Sequence, residues 1–212
     1  MKRYLFLPAL SIAAVIGVAG CSSDTSTPAA DSSASAEQGT PAESGATVSA
    51  EHNRADAMFA QMMIPHHQQA VEMSDMMLAK DNISADISDL ATRIKAAQGP
   101  EIEIMTSWLE AWDQPVMPEG GMAGHDMGGM GGMGGMDGML DEAQMADLEA
   151  AEGDEAVGLF LESMIEHHDG AVEMAQEEID HGENPAAIAL AETIAETQQA
   201  EIKEMQQLLA EL

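Results

Sequence analysis

The sequence is poor in cysteine, aromatic residues and basic residues, and each shortage limits how the chain can be stabilised or what it can bind. One cysteine stands among 212 residues, so no disulfide can form within the chain. Aromatic residues make up 3%, so the core must be built from aliphatic side chains and methionine. Seven Lys and Arg residues oppose 38 Asp and Glu residues, for a formal net charge of −31. Such a chain repels nucleic acid, which we exclude as a partner, and attracts cations.

The first fifty residues are typical of an export signal followed by a tether. Residues 1–20 combine a basic start with an apolar run that is too short to span a membrane. The run ends in Val-Ala-Gly before Cys21, which resembles a bacterial lipobox and predicts lipidation of Cys21. The alternative is an ordinary cleaved signal with a chance cysteine. Residues 21–50, rich in Ser, Thr and Ala, predict a flexible, disordered tether to the extracytoplasmic face of a membrane.

The rest of the chain, residues 51–212, contains an internal duplication. Residues 62–73 read MMIPHHQQAVEM, and residues 163–174 read SMIEHHDGAVEM, an offset of 101. Residues 90–112 align with residues 190–212 at an offset of 100. We therefore divide this region into a first repeat (51–113), a Gly/Met-rich loop (114–140) and a second repeat (141–212).

Each repeat predicts a hairpin of two helices. Apolar residues recur at helical spacing, and stop and start signals such as Ser84 and Asn184-Pro185 separate the two runs. Pro65 should kink the first helix or mark a fresh start, and residues 141–151 predict a short extra helix. The simplest way to bury four apolar stripes is an all-α four-helix bundle with pseudo-twofold symmetry.

The paired histidines, His66-His67 and His167-His168, lie on the apolar faces of the predicted helices. Neighbouring helical residues point about 100° apart, so each pair should turn inward toward two different helices. Buried imidazoles need partners. The second helix of each repeat offers them on one side, and these partners are Gln98, Glu101 and Met105, and Gln198, Glu201 and Met205. Four of them are also candidate metal-site residues: Glu101, Met105, Glu201 and Met205.

Imidazole and thioether groups together favour a soft metal ion, and the chain has 19 methionines. Cu(I) fits best and Ag(I) second, whereas zinc prefers Cys, His and carboxylate ligands. A di-iron site needs two Glu-x-x-His motifs, and only Glu178 and His181 form one. The competing interpretation is that the methionines only pack the core.

The Gly/Met-rich loop repeats methionine at every third position. Glycine this dense opposes a helix, and a flexible chain of thioethers could wrap a Cu(I) ion. The candidate ligands in this loop are His125, Met127, Met130, Met133 and Met136.

The two phrases FAQMMIPHHQQAVEM and FLESMIEHHDGAVEM, each followed by Q-x-x-E-I-x-x-M, resemble a bacterial family known as domain of unknown function 305. The resemblance covers residues 51–212. It implies an exported, ferritin-like helical bundle tied to the binding of, and resistance to, copper and silver. The metal-site candidates that it implies are Met63, His66, His67, Met73, Met164, His167, His168 and Met174.

Together these features predict a lipid-anchored protein of the cell envelope that binds Cu(I) reversibly, for buffering, resistance or relay to a copper-transport partner. We expect no enzymatic activity. Two alternatives stay open: a redox-active metalloenzyme such as a cuprous oxidase, and a structural or interaction lipoprotein with a methionine-packed core.

Overall fold

The computed structural model describes residues 49–117 and 138–212, which form five helices and no strands. The predictions for the signal, Cys21 and most of the tether lie outside these residues, as do His125, Met127, Met130, Met133 and Met136. Within them, no helix is long and apolar enough to cross a membrane. The helices are α1 (Arg54–Leu78), α2 (Ala85–Ala111), α3 (Glu142–Ala150), α4 (Gly153–His181) and α5 (Pro185–Leu209).

The starts of α2 and α5 follow the signals that the sequence predicts, and α1 begins at a cap that the sequence analysis does not single out. Asn53 begins α1 with a capping box. Its side chain accepts hydrogen bonds from backbone N–H groups of the first turn, and the side chain of Asp56 accepts one from the backbone N–H of Asn53. Ser84 caps α2 and Asn184 caps α5, each by accepting backbone hydrogen bonds with its side chain. Pro65 does not start a new helix, because α1 continues through it to Leu78.

Two helical hairpins meet through their first helices. In the described residues, α1 packs on α2, α4 packs on α5, and α1 packs on α4, while the short α3 touches both α1 and α4. Asn53 at the start of α1 donates to the carbonyl of His181 at the end of α4 (2.8 Å), so α1 and α4 run antiparallel. Arg93 of α2 also reaches Glu204 of α5 with a 2.5 Å ion pair.

The buried apolar side chains form two clusters, one toward each end of α1. The Met63 cluster joins the start of α1 to the end of α4, and the Met73 cluster joins the end of α1 to the start of α4. The Met63 cluster includes Phe59, Met63, Met105, Trp108, Trp112 and Met174. The Met73 cluster includes Met73, Leu90, Ile94, Phe160, Met164 and Met205. The histidine pairs lie between these clusters along both helices.

A buried pair of carboxyl groups, Asp56 and Glu178, lies where α1 begins and α4 ends. Asp56 is fully buried and accepts hydrogen bonds from the backbone N–H groups of Asn53 (2.6 Å), Glu183 (3.1 Å) and Asn184 (2.8 Å). Burial raises the pKa of Asp56, but the bonds from Asn53 and Asn184 outweigh it, so the pKa lies below its ordinary value. Burial, and then the neighbouring Asp56, raise the pKa of Glu178 to about 9. Glu178 is therefore a neutral acid at neutral pH.

Glu178→Gln should remove a pH dependence from the stability of the fold. Folded Glu178 keeps its proton up to about pH 9, whereas the unfolded chain releases it near its ordinary pKa of 4.5. The contribution of this group therefore falls as pH rises between those values. We expect the unfolding free energy of the wild type, relative to the variant, to fall by roughly 1–3 kcal/mol between pH 6 and pH 8 in denaturant titrations. A difference that stays constant with pH, as expected for the exposed control Glu173→Gln, would contradict this assignment.

Candidate metal centre

His66 and His67 are buried in α1 and face two different helices, as the helical geometry predicts. Both side chains are 0% exposed. The ring of His66 faces α4, where its centroid lies 3.7 Å from that of His167, with the ring planes 42° apart. The ring of His67 faces α2, where its Nε2 atom lies 2.7 Å from Oε2 of Glu101.

The second repeat builds the same arrangement from the other side. His168 of α4 faces α5, and its Nε2 atom lies 2.8 Å from Oε2 of Glu201. Equivalent residues of a duplicated chain meet each other only at the axis that relates the two copies. The close, tilted approach of the His66 and His167 rings is therefore what a pseudo-twofold relation between the two repeats predicts. We call the four imidazoles His66, His67, His167 and His168 the histidine layer.

The two glutamates fix which nitrogen of their histidine carries the proton. A carboxylate can only accept, so His67 and His168 each donate from Nε2–H to Glu101 and Glu201. In a neutral ring the lone pair then lies on Nδ1. The Nδ1 atoms of both rings are buried and meet no hydrogen-bond partner among the described residues. Histidines that ligate metals are held in this way, with one nitrogen on a carboxylate and the other directed to the ion.

Burial keeps the imidazoles of His67 and His167 neutral. It lowers the pKa of His67 below the ordinary 6.5, although the hydrogen bond to Glu101 acts in the opposite direction. The pKa of His167 lies well below 6.5, first because of burial and then because His66, His168 and His67 are close. Neutral imidazole is the form that binds metal, so at neutral pH no proton has to be displaced.

Six predicted methionine ligands are buried on the two sides of the histidine layer. Met63, Met105 and Met174 belong to the Met63 cluster, and Met73, Met164 and Met205 belong to the Met73 cluster. Each set of three draws on both hairpins. The histidine layer thus lies between two equivalent groups of thioethers.

The glutamines do not partner the imidazoles, contrary to the sequence-based expectation. Gln98 is 2% exposed and neither atom of its amide group has a hydrogen-bond partner among the residues described. Gln198 is 3% exposed, and its Oε1 atom is likewise without one. Uncompensated amides of this kind are costly in a core and add further polar atoms close to the histidine layer.

Nitrogen and oxygen ligands alone do not complete a metal site here. Across residues 49–117 and 138–212, no three His, Cys, Asp or Glu side chains converge closely enough to hold a metal ion. Beside the imidazole nitrogens, the thioether sulfurs of the two buried clusters are the remaining candidate donors, and such a set would favour a soft ion over a hard one.

Sequence and structure comparisons both point to one family. The profile of the family described as "Domain of unknown function (DUF305)" matches residues 56–209. A DUF305 protein from Streptomyces coelicolor, named as a candidate secreted protein, is 34% identical, with 74% of this chain and 91% of that chain covered and a TM-score of 0.66. A DUF305 fragment from Deinococcus radiodurans is 31% identical, with 76% and 98% covered and a TM-score of 0.63.

The protein CopM is a third relative of known structure. Its Cu(I)-bound form is 29% identical to this chain, with 74% of this chain and 96% of that chain covered and a TM-score of 0.60. CopM has also been solved in Cu(II)-bound and Ag-bound forms. No curated protein matches the sequence.

Glu201→Ala should destabilise the fold, because it leaves the buried Nε2–H of His168 without an acceptor. We expect a loss of about 1–3 kcal/mol in the free energy of unfolding, measured by urea titration of the metal-free protein. Glu101→Ala should cost less, because the side chain of Glu101 is 15% exposed, against 9% for Glu201, and water can replace it more easily. Glu196→Ala, an exposed change on the same helix, is the control. Equal stabilities for the Glu196 and Glu201 variants would contradict the assigned hydrogen bond.

Proposed function

The chain belongs to the DUF305 family, and from this premise we propose that it binds soft monovalent metal ions, Cu(I) first and Ag(I) second. The role would be copper buffering, resistance or relay in the cell envelope. Support comes from CopM, a family relative that has been solved with Cu(I), Cu(II) and silver bound. The ion is the cargo of the protein, taken up and released rather than kept.

The observation that carries this proposal is the burial of four imidazoles in one layer between two sets of thioethers. Burying so many polar rings in an aliphatic core costs stability unless their nitrogens form compensating hydrogen bonds or bind a ligand. In this proposal, the nitrogens of the histidine layer and the sulfurs beside it bind the ion, and Glu101 and Glu201 orient His67 and His168. The thioether ligands would come from Met63, Met73, Met105, Met164, Met174 and Met205.

The closure of the layer supports ion binding over turnover of a larger substrate. All four imidazoles are 0–1% exposed, so a substrate molecule has no room beside them. A single ion needs far less space. We therefore propose a carrier rather than an enzyme.

The finer features of the fold and of the location are also proposals. The pairing of two antiparallel hairpins through α1 and α4 supports a ferritin-like four-helix bundle with short α3 as an addition. Resemblance to a candidate secreted relative supports an extracytoplasmic location. The loop ligands His125, Met127, Met130, Met133 and Met136 would capture Cu(I) first, and a copper-transport protein would receive it.

A competition titration with a Cu(I) chelator tests the proposed site. Changing all four layer histidines to Ala should weaken Cu(I) binding by at least about a hundred-fold, or about 2.7 kcal/mol, because every nitrogen ligand of the layer is lost. Replacing His52 and His181, which lie outside the layer, with Ala is the matched control and should leave the affinity unchanged. Zn(II), titrated alongside, should bind far more weakly than Cu(I).

A second variant covers the case in which the fourfold histidine change unfolds the chain. Met63→Leu, Met105→Leu and Met174→Leu conserve core volume but remove one complete set of sulfurs, so Cu(I) affinity should fall while the helical circular dichroism is kept. Met117→Leu, at a 48% exposed methionine, is its control. Cu(I) affinity that is unchanged in a folded variant of either kind would contradict the proposed site.

The proposed lipid anchor has its own test. In bacterial cells, the wild-type protein should sediment with the membranes, whereas Cys21→Ser should move it to the soluble fraction because the sulfur that carries the lipid is gone. Membrane association that survives this change would show that Cys21 is not the anchor.

A further inference from the structure

Residues 138–140 lie directly against α4 at the histidine layer. Gly138 adopts a φ of +83°, which favours glycine over other residues. A Cβ atom added to it would lie 2.2 Å from the carbonyl oxygen of Glu166 and 2.9 Å from Cα of His167. No side chain fits in that space, so the backbones of Gly138 and His167 are in close contact.

The same three residues are fastened to α1 by one side chain. Nε2 of Gln69 donates to the carbonyl oxygen of Leu140 (2.8 Å), and Oε1 of Gln69 accepts from its backbone N–H (2.8 Å). The side chain of Leu140 is 8% exposed and packs in the Met73 cluster. Gln69 lies three residues beyond His66 and therefore on nearly the same side of α1.

The short segment thus crosses the interface between α1 and α4 beside the paired imidazoles of His66 and His167. One of its contacts is at His167, and the other is one helical turn beyond His66. Its fastening is also asymmetric: the residue of the second repeat that corresponds to Gln69 is Gly170, which has no side chain to form such a bond. The duplicated fold therefore carries one latch of this kind and not two.

We propose that residues 138–140 are a releasable strap that controls the passage of a metal ion to the histidine layer, with the side chain of Gln69 as its latch. The proposal rests on the proposed function. Because the four imidazoles are 0–1% exposed, part of the structure has to move before an ion can reach them. The strap is held by two hydrogen bonds from one side chain and by the packing of one leucine, whereas separating any helix pair would expose much of a cluster.

A strap that only controls access has a distinctive kinetic effect. If it closes equally well over the empty and the loaded layer, releasing it raises the fraction of open molecules in both states. The association and dissociation rates of the ion then rise together, and their ratio, the dissociation constant, stays the same. Loss of a ligand, in contrast, would raise the dissociation rate alone.

Gln69→Ala in the full chain tests the strap, with Gln68→Ala, an exposed change at the neighbouring position, as the matched control. The probe is Cu(I) supplied as a bicinchoninate complex, and stopped-flow absorbance follows its transfer to and from the protein. Gln69→Ala should speed uptake and release by roughly ten-fold and leave the dissociation constant within about two-fold. Gly138→Ala should act in the same direction, because its Cβ atom displaces the strap.

Hydrogen exchange of the Leu140 amide shows independently whether the latch has been released. Exchange should be faster in Gln69→Ala and unchanged in Gln68→Ala. Faster exchange together with unchanged Cu(I) rates overturns the strap and leaves the proposed function intact, as does a weaker affinity caused by faster release alone. Failure of the wild-type protein to bind Cu(I) overturns both proposals.

Discussion

The close approach of the His66 and His167 rings, which come from equivalent positions of the two repeats, is the contact on which the rest of the structure depends. It places two polar rings, and two more beside them, where an all-helical protein would ordinarily pack aliphatic side chains. Only one nitrogen each of His67 and His168 is bonded to a carboxylate, and the buried Nδ1 atoms of these rings find no partner in the described residues. A core that leaves lone pairs uncompensated at its centre sacrifices stability there, which is the pattern expected of a functional site.

The antiparallel packing of α1 on α4 determines which methionines can act together. Since the start of one helix faces the end of the other, Met63 shares a cluster with Met174, and Met73 shares one with Met164. An ion bound between the histidine layer and either cluster would therefore be held by both hairpins. Metal binding and the association of the hairpins are coupled in such an arrangement. The bound ion would therefore stabilise the folded chain.

Much of the fold could be predicted from the sequence because its signals are local. The spacing of apolar residues and the capping residues Ser84 and Asn184 act over a few residues, and the starts of α2 and α5 followed from them. The inward orientation of His66 and His67 followed from helix geometry. The packing of α1 on α4 could not be predicted, because the apolar stripe on α1 matches the stripe on α4 as well as any other stripe. For the same reason, the grouping of methionines across hairpins could not be read from spacing.

Two parts of the structure lay beyond sequence reasoning altogether. Asp56 lies at the position where a capping box is expected, but its burial with Glu178 depends on how α4 meets α1, and acidic residues on helices are ordinarily solvated. The bond between Gln69 and Leu140 joins residues 71 positions apart and has no counterpart in the second repeat. The departure from the repeat, glutamine at position 69 against glycine at position 170, was the one sign of it in the sequence.

X-ray absorption at the copper K-edge of the Cu(I)-loaded protein tests the central claim most directly. If the histidine layer and its flanking thioethers hold the ion, the extended fine structure will require both nitrogen and sulfur in the first shell, and the nitrogen contribution will disappear when the four layer histidines are changed to Ala. A first shell of light atoms alone, or a spectrum that is the same with and without those histidines, would contradict it.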